Sequence, residues 1–304
     1  MPELPEVETV RRGLEERVVG QRLVEVIVTG RRTVRRQPPA ELVARLEGRR
    51  VDAVRRKGKW LALLLDDDSV LVIHLRMSGQ LLWVAPLAST APAGAPLAGA
   101  SIVAGPDSSD AWDGSAVVKH THVVARLGDG SELRFVDPRT FGEWFVTDDV
   151  GPDGLPLDFA RFGPDPLVDG LSAKTLRGRL AGRTVPLKAA LTDQRVVSGI
   201  GSIYADEICF RAKLRPDRLG GSLSSSEVAS LAKAARAVLA EAVRSRGSSL
   251  RDSRYRDLEG GLGSFQGRHA VYDRAGEPCR RCASRVVRLK IGARHAYCCE
   301  GCQL

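Results

Sequence analysis

Two groups of residues at opposite ends of the 304-residue chain have the types and spacing to do chemistry. The opening "MPELPEVETV" puts Pro2 directly behind Met1 and follows it with Glu3, Glu6 and Glu8. Removal of Met1, which the small neighbour permits, leaves a secondary amine with no side chain to shield it, and such an amine is a nucleophile. At the far end, 16 residues separate the pair Cys279 and Cys282 from the pair Cys299 and Cys302, a C-x2-C-x16-C-x2-C spacing. Each C-x-x-C turn can aim two thiolates at one ion, so the pattern predicts a tetrahedral zinc site, with "ASRVVRLKIGARHAYC" between the pairs as a hairpin. Cys298 offers a rival C-x3-C spacing, but Cys299 gives the symmetric one. Arg280, Arg281, Arg285, Arg288, Lys290 and Arg294 surround the module, a composition suited to holding a phosphate backbone.

The rest of the chain must position these groups. A net charge of +9 and a pI near 9.6 favour a polyanionic partner. No apolar run approaches the length of a membrane span, and the acidic start excludes a secretory signal, so a cytoplasmic protein with reduced cysteines is expected. "PEVETVRRGLEERVVG" aligns Val7, Val10, Leu14 and Val18 on one helical face, with the helix's positive end beside Pro2. "RLVEVIV", "WLALLL", "VLVIHL", "QLLWV", "HVVARL" and "ELRFV" read as strands of an antiparallel sandwich. The Ala, Pro, Gly and Ser-rich stretch at 85–116 reads as a mobile insertion between them. Beyond "DDVGPDGLPLD" the texture turns helical, in "SAKTLRGRL", "LKAALTD", "IYADEICFRAK" and a long helix opened by a Ser224–Glu227 capping box. Cys209 lies in an apolar helical stretch and belongs to a core.

The motifs "PELPEVET", "HLRMSG", "DPRTFG" and "VVSGIGSIYADE", followed by the four-cysteine finger, resemble the bacterial formamidopyrimidine-DNA glycosylase family in order and over nearly the whole chain. The resemblance implies an α+β multidomain fold: an N-terminal antiparallel β-sandwich with an N-terminal helix (1–150), a helical helix-two-turns-helix DNA-binding domain (165–250), and a lesion-capping loop with a C-terminal β-hairpin zinc finger (251–304). It implies a monomeric bacterial base-excision repair enzyme acting on damaged double-stranded DNA at the nucleoid. Such an enzyme removes oxidised purines (8-oxoguanine, formamidopyrimidines) through a Pro2 Schiff base and then cuts the strand by β,δ-elimination. Glu3 becomes the general acid and base, Glu6 a support for the N-terminus, and Glu8 helix surface. Lys59 corresponds to a phosphate-contacting lysine that assists β-elimination, and Arg294 to the finger arginine that assists δ-elimination. His74, His120 and Arg183 correspond to phosphate contacts. Met77, Arg139 and Phe141 correspond to the side chains that fill the hole left by an everted base, Arg139 facing the orphaned partner.

Four positions depart from the family pattern. Ser202 stands where Asn usually contacts phosphate, Arg76 where Gly is usual, Thr140 where a second Arg often follows Arg139, and Ser264 replaces the aromatic before Phe265 in the capping segment "RYRDLEGGLGSFQG". Two other readings fit less of the sequence: an endonuclease-VIII-like enzyme for oxidised pyrimidines, which usually opens on a different N-terminal motif, and a catalytically silent zinc-dependent DNA-binding homologue, against which Pro2 and Glu3 argue.

Overall fold

The computed structural model describes residues 2–86, 119–250 and 255–304, so the insertion expected at 85–116 lies, from residue 87 on, outside the described residues. The chain forms two compact units: Met1–Pro2, Glu6–Phe159 and Ser248–Gly263 make one, and Glu3–Pro5, Ala160–Gly247 and Ser264–Leu304 the other.

The first unit is a sandwich of two four-stranded antiparallel sheets. Helix α1 (Leu4–Val18) and strand β1 (Leu23–Val28) are followed by α2 (Pro39–Leu46), β2 (Val51–Lys57), β3 (Trp60–Leu65), β4 (Val70–His74), β5 (Gln80–Val84), β6 (Thr121–Leu127), β7 (Glu132–Val136) and β8 (Glu143–Thr147). One sheet runs β1-β6-β7-β5 and the other β2-β3-β4-β8. Inward-facing Val26, Val123 and Phe135 of the first meet Val54, Leu63, Ile73 and Trp144 of the second in a single apolar core, joined by Val7, Val10, Leu14 and Val18 of α1. The expected helix face is therefore the buried one.

Strand β2 escapes the apolar alternation because it buries an arginine. Arg56 is 3 % exposed, and its guanidinium donates to Glu8 at 2.9 Å and to the Gly58 carbonyl at 2.9 Å. Glu8 also pairs with Arg11 and Arg12. Burial alone would raise its carboxyl, but Arg56 and Arg11 outweigh that and hold it below the usual range. Glu8 is thus a buried ion-pair hub, not the helix-surface acid expected. Glu6 accepts the Ser248 N–H at 2.7 Å.

The second unit holds α3 (Ala173–Leu180), α4 (Leu187–Thr192), α5 (Ser202–Ala212), α6 (Ser225–Arg244) and the hairpin β9 (Val286–Ile291) with β10 (Arg294–Cys299). Helix α5 is its axis: every residue from Ile203 to Phe210 is buried, Cys209 included. The capping box forms as expected, with Ser224 and Glu227 bonded reciprocally. Between α4 and α5 the chain makes two turns, held by Gln194, whose amide donates to the carbonyls of Thr192 and Ile200 and whose oxygen accepts the Gly199 N–H.

Candidate functional site

In the second unit the start of α5 is capped from the far end of the sequence. The four N-terminal N–H groups of a helix lack intrahelical partners, and the Glu3 carboxylate accepts three at this end: Gly201 at 2.7 Å, Ile203 at 3.0 Å and Tyr204 at 3.4 Å. Leu4 adds a backbone bond to the Gly199 carbonyl at 3.0 Å. The glycines of "GIG" are required by this approach, since a Cβ on Gly199 (φ +91°) would strike Leu4 and one on Gly201 would strike the Glu3 carboxyl. Glu3 is 2 % exposed and seated at a helix N-terminus, and Pro2 is its covalent neighbour. Ser202 is the first residue of α5, half-buried beside this cap.

In the first unit the remaining candidates gather on loops at strand ends. Lys59 closes the β2–β3 turn at Gly58 (φ +59°), and His74 pairs in register with Trp60 at the end of β4. The His74 ring is buried, 4.3 Å edge-on from Trp60. Its Nδ1 accepts the Arg76 N–H at 2.8 Å, which leaves the ring proton on Nε2. Burial first, then the charges of Arg76, Lys59 and Arg36, push its pKa well below 6.5, so the ring is a neutral donor. Arg76, at φ +54°, swings its guanidinium back onto Glu143 at 2.9 Å and over Trp60. Burial alone would raise the Glu143 carboxyl; Arg76 and Arg36 together hold it low.

Met77 and Phe141 are exposed at 42 % and 38 %, unlike the core residues their types suggest. Arg139 lies with its guanidinium 5.0 Å from the Phe141 ring. One fully buried carboxylate braces both loops. Asp137 accepts the Ser78 hydroxyl at 2.5 Å, the Arg139 N–H at 3.1 Å and the Gly142 N–H at 2.6 Å. Nothing in the sequence had singled out Asp137 within "DPRTFG"; an acid opening a tight turn was the signal available. His120 stands at φ +71° where β6 begins, its carbonyl accepting the Asp137 N–H.

Back in the second unit, the sulfurs of Cys279, Cys282, Cys299 and Cys302 all lie within 4.8 Å of one another. A tetrahedron of thiolates about zinc needs sulfurs roughly 3.8 Å apart, and Cys279–Cys302 at 3.9 Å and Cys282–Cys299 at 3.4 Å fit it. Cys298 is outside the cluster, and burial pushes its thiol up to about 11. Arg294, first residue of β10, donates to the Thr192 hydroxyl at 3.3 Å and borders a cavity of about 380 Å³ with Lys188, Thr192 and Asp193. Arg183 is turned onto Asp193 and the Arg179 carbonyl.

Two buried acids of α5 could not be singled out from the sequence. Asp206 pairs with Lys188 at 2.7 Å, and burial raises its carboxyl to about 7 against the pull of that lysine. Glu207 accepts three consecutive N–H groups, those of Ala270, Val271 and Tyr272. The capping segment divides: Tyr255 and Leu258 are buried in the core of the first unit, whereas Ser264 and Phe265 bond to the carbonyls of Ser245 and Gly247 in the second.

Comparison with known proteins agrees with this geometry. Residues 1–144 match the formamidopyrimidine-DNA glycosylase N-terminal domain and residues 162–254 the corresponding H2TH domain. A formamidopyrimidine-DNA glycosylase of Nocardia farcinica is 42 % identical over 100 % of this chain and 98 % of its own, and one of Chloroflexus aggregans is 40 % identical over 100 % and 99 %. Among solved structures, the MutM (Fpg) protein of Thermus thermophilus superposes with a TM-score of 0.79 at 38 % identity, covering 99 % of this chain and 98 % of that one. The Lactococcus lactis Fpg bound to DNA containing an abasic site gives 0.80 at 30 % identity, covering 99 % of each.

Proposed function

The chain belongs to the formamidopyrimidine-DNA glycosylase family, and we propose that within it the protein is a bifunctional glycosylase and abasic-site lyase for oxidised purines, 8-oxoguanine and formamidopyrimidines. With Met1 removed, the Pro2 nitrogen attacks the sugar carbon bearing the damaged base. The base departs with its bonding pair, and the amine takes its place and loses its proton. The nitrogen lone pair then breaks the C1′–O4′ bond, the ring oxygen takes a proton, and the opened sugar carries a cationic iminium. That cation acts as the electron sink for loss of the 3′ phosphate and then the 5′ phosphate. Glu3 moves protons at the sugar and base, Lys59 assists the first elimination, and Arg294 the second.

His74, His120, Arg183 and Ser202 are assigned to the phosphate backbone. As a neutral Nε2–H donor His74 contributes a hydrogen bond without a charge. Exposed Met77 and Phe141 fill the gap left by the everted nucleotide, and Arg139 meets the orphaned base. The four thiols suit one structural zinc per chain, which when bound stabilises the hairpin carrying Arg294. A monomer working on bacterial chromosomal DNA is the proposed state.

The observation that carries this reading is the Glu3 cap. Three hydrogen bonds to α5 fix the residue behind Pro2, so the amine is delivered by an anchored segment and not by a free terminus. Borohydride trapping on an abasic-site duplex tests it, with mass spectrometry to establish the loss of Met1. The wild type should form a covalent adduct, and Pro2→Gly should bind the duplex but trap poorly. Efficient trapping by a form that retains Met1 overturns the assignment, because its Pro2 nitrogen is an amide. Preferential release of oxidised pyrimidines would instead favour the endonuclease-VIII-like alternative.

A further inference from the structure

The hairpin that carries Arg294 is a sheet of only two strands, so one edge of β10 has no third strand to pair with among the described residues. Two-stranded sheets are marginal in water, and an open edge leaves its N–H and C=O groups to be satisfied elsewhere. At this edge the partner is a buried ion pair. Lys188 Nζ, on α4, donates to the His295 carbonyl at 2.6 Å. Asp206 Oδ2, on α5, accepts the Tyr297 N–H at 3.1 Å. The two ions bond to each other at 2.7 Å and are 2 % and 0 % exposed. In a strand the C=O of one residue and the N–H two residues on point the same way, so Lys188 and Asp206 occupy the two positions that an adjacent strand would use.

We propose that the Lys188–Asp206 pair is a surrogate third strand that sets the placement of β10 against α4 and α5, and through it the position of the Arg294 guanidinium. Arg294 lies one residue before the carbonyl that Lys188 holds, and it bonds to Thr192 one helical turn beyond Lys188. Thr192 in turn donates to the Lys188 carbonyl at 3.0 Å. The network is thus closed: α4 grips the strand with a side chain at one end of a turn and receives the arginine at the other. Buried ion pairs seldom add much stability, because desolvation offsets their attraction, but they fix geometry where an apolar pair would slide. Asp206 Oδ1 has no partner among the described residues, as befits a carboxylate placed for its neighbours and not for its own satisfaction. In this role Lys188 and Asp206 are positioning residues, neither of which touches the reacting sugar.

The inference rests on the proposed role of Arg294 in the second elimination, and its test separates the two. Product partition on an abasic-site duplex is measured at pH 8, above the raised Asp206 value, for wild type, Asp206→Asn, the double variant Lys188→Met with Asp206→Leu, and Arg294→Ala as reference. Zinc content and borohydride trapping are followed on the same samples. In both Lys188–Asp206 variants the ratio of β,δ product to β product should fall by about tenfold, the rate equivalent of one lost hydrogen bond to a charged group. Trapping and zinc should stay within about twofold, well under one such bond. The double variant fills the volume with apolar atoms, so it reports on placement even where the single variant strands Lys188 without its counter-ion. An unchanged ratio overturns the proposal, and so does an equal loss of both products, which would mark the pair as merely structural. If Arg294→Ala itself leaves the ratio unchanged, the assigned role of Arg294 fails instead.

Discussion

The two units hold their candidate side chains by opposite means. In the first, a continuous apolar core from α1 to Leu258 supports two sheets, and Met77, Arg139 and Phe141 project from loops at strand ends that Asp137 ties together. In the second, the candidate groups hang on buried charge and on sulfur: Glu3 on α5, Glu207 on the 270–272 backbone, Lys188 with Asp206 on β10, and the four thiols. The apolar cluster beneath the finger is small, essentially Phe210, Val271 and Val286 with Cys279 and Cys299. A sandwich that buries enough hydrocarbon can place polar residues wherever its loops allow, whereas a module this small must build its framework out of the polar residues themselves.

The largest expected effect tests that contrast at the thiols. Metal removal, or Cys282→Ser, should unfold the finger and abolish duplex binding, since structural zinc in finger peptides is worth about 10 to 16 kcal/mol. All four tryptophans precede residue 160, while Tyr204, Tyr272 and Tyr297 belong to the second unit. Tryptophan emission should therefore hold while the near-ultraviolet tyrosine signal changes, and a shifted tryptophan spectrum would show that the first unit leans on the metal after all.

The sandwich has its own breaking point at Leu63, which is fully buried on β3. Leu63→Ala should cost about 2 to 5 kcal/mol in denaturant unfolding followed by tryptophan emission. A cost below about 1 kcal/mol would mean the core relaxes around the gap and is less tightly packed than its burial implies.

Acid should reach the second unit through His269. Burial, with Arg280 and Arg274 adding repulsion, lowers this ring to about 4, and it packs edge-on against Phe265 and Tyr272. The unfolded chain protonates near 6.5 and the folded one resists. Stability contributed by the neutral ring is therefore whole above 6.5 and lost as pH falls toward 4, up to about 3 kcal/mol at 1.36 per unit. His269→Gln should flatten that limb of the stability profile; an unaltered limb assigns the acid sensitivity elsewhere.

The smallest effect concerns Ser202 at the α5 start. Its hydroxyl is shorter than the Asn amide usual in the family, so Ser202→Asn should tighten binding of a lesion-mimic duplex by about tenfold, one hydrogen bond to a charged group. If Asn binds no better and Ser202→Ala equals wild type at fixed salt, the position makes no phosphate contact.

How much of this could be read beforehand divides along the same line. The apolar face of α1, strands β1 and β3 to β7, the capping box of α6 and the four-cysteine set were legible, because each is a local pattern with a fixed period or spacing, whereas β8, "EWFVT", was not singled out. Strand β2 was not legible either, since in "VDAVRRK" a buried arginine interrupts the apolar alternation and its partner Glu8 lies 48 positions away. Asp137, Asp206 and Glu207 were missed for the same reason: their partners are distant backbone groups, and a carboxylate that bonds to a remote N–H leaves no periodicity behind it. Glu8 was misread as surface because helical spacing reveals which residues share a face, not what charge the facing strand presents.

The Glu3 cap also bears on the gene. With that carboxylate locked to α5, every residue placed ahead of Pro2 moves the free amine outward by about 3.5 Å while its neighbour stays fixed. On the proposed assignment of Pro2 as nucleophile, the start codon and the aminopeptidase that trims its product set the reach of that amine. On that same proposed assignment, translation from an upstream start, or an affinity tag fused at this end, is expected to yield a folded protein that binds an abasic-site duplex and forms no borohydride adduct.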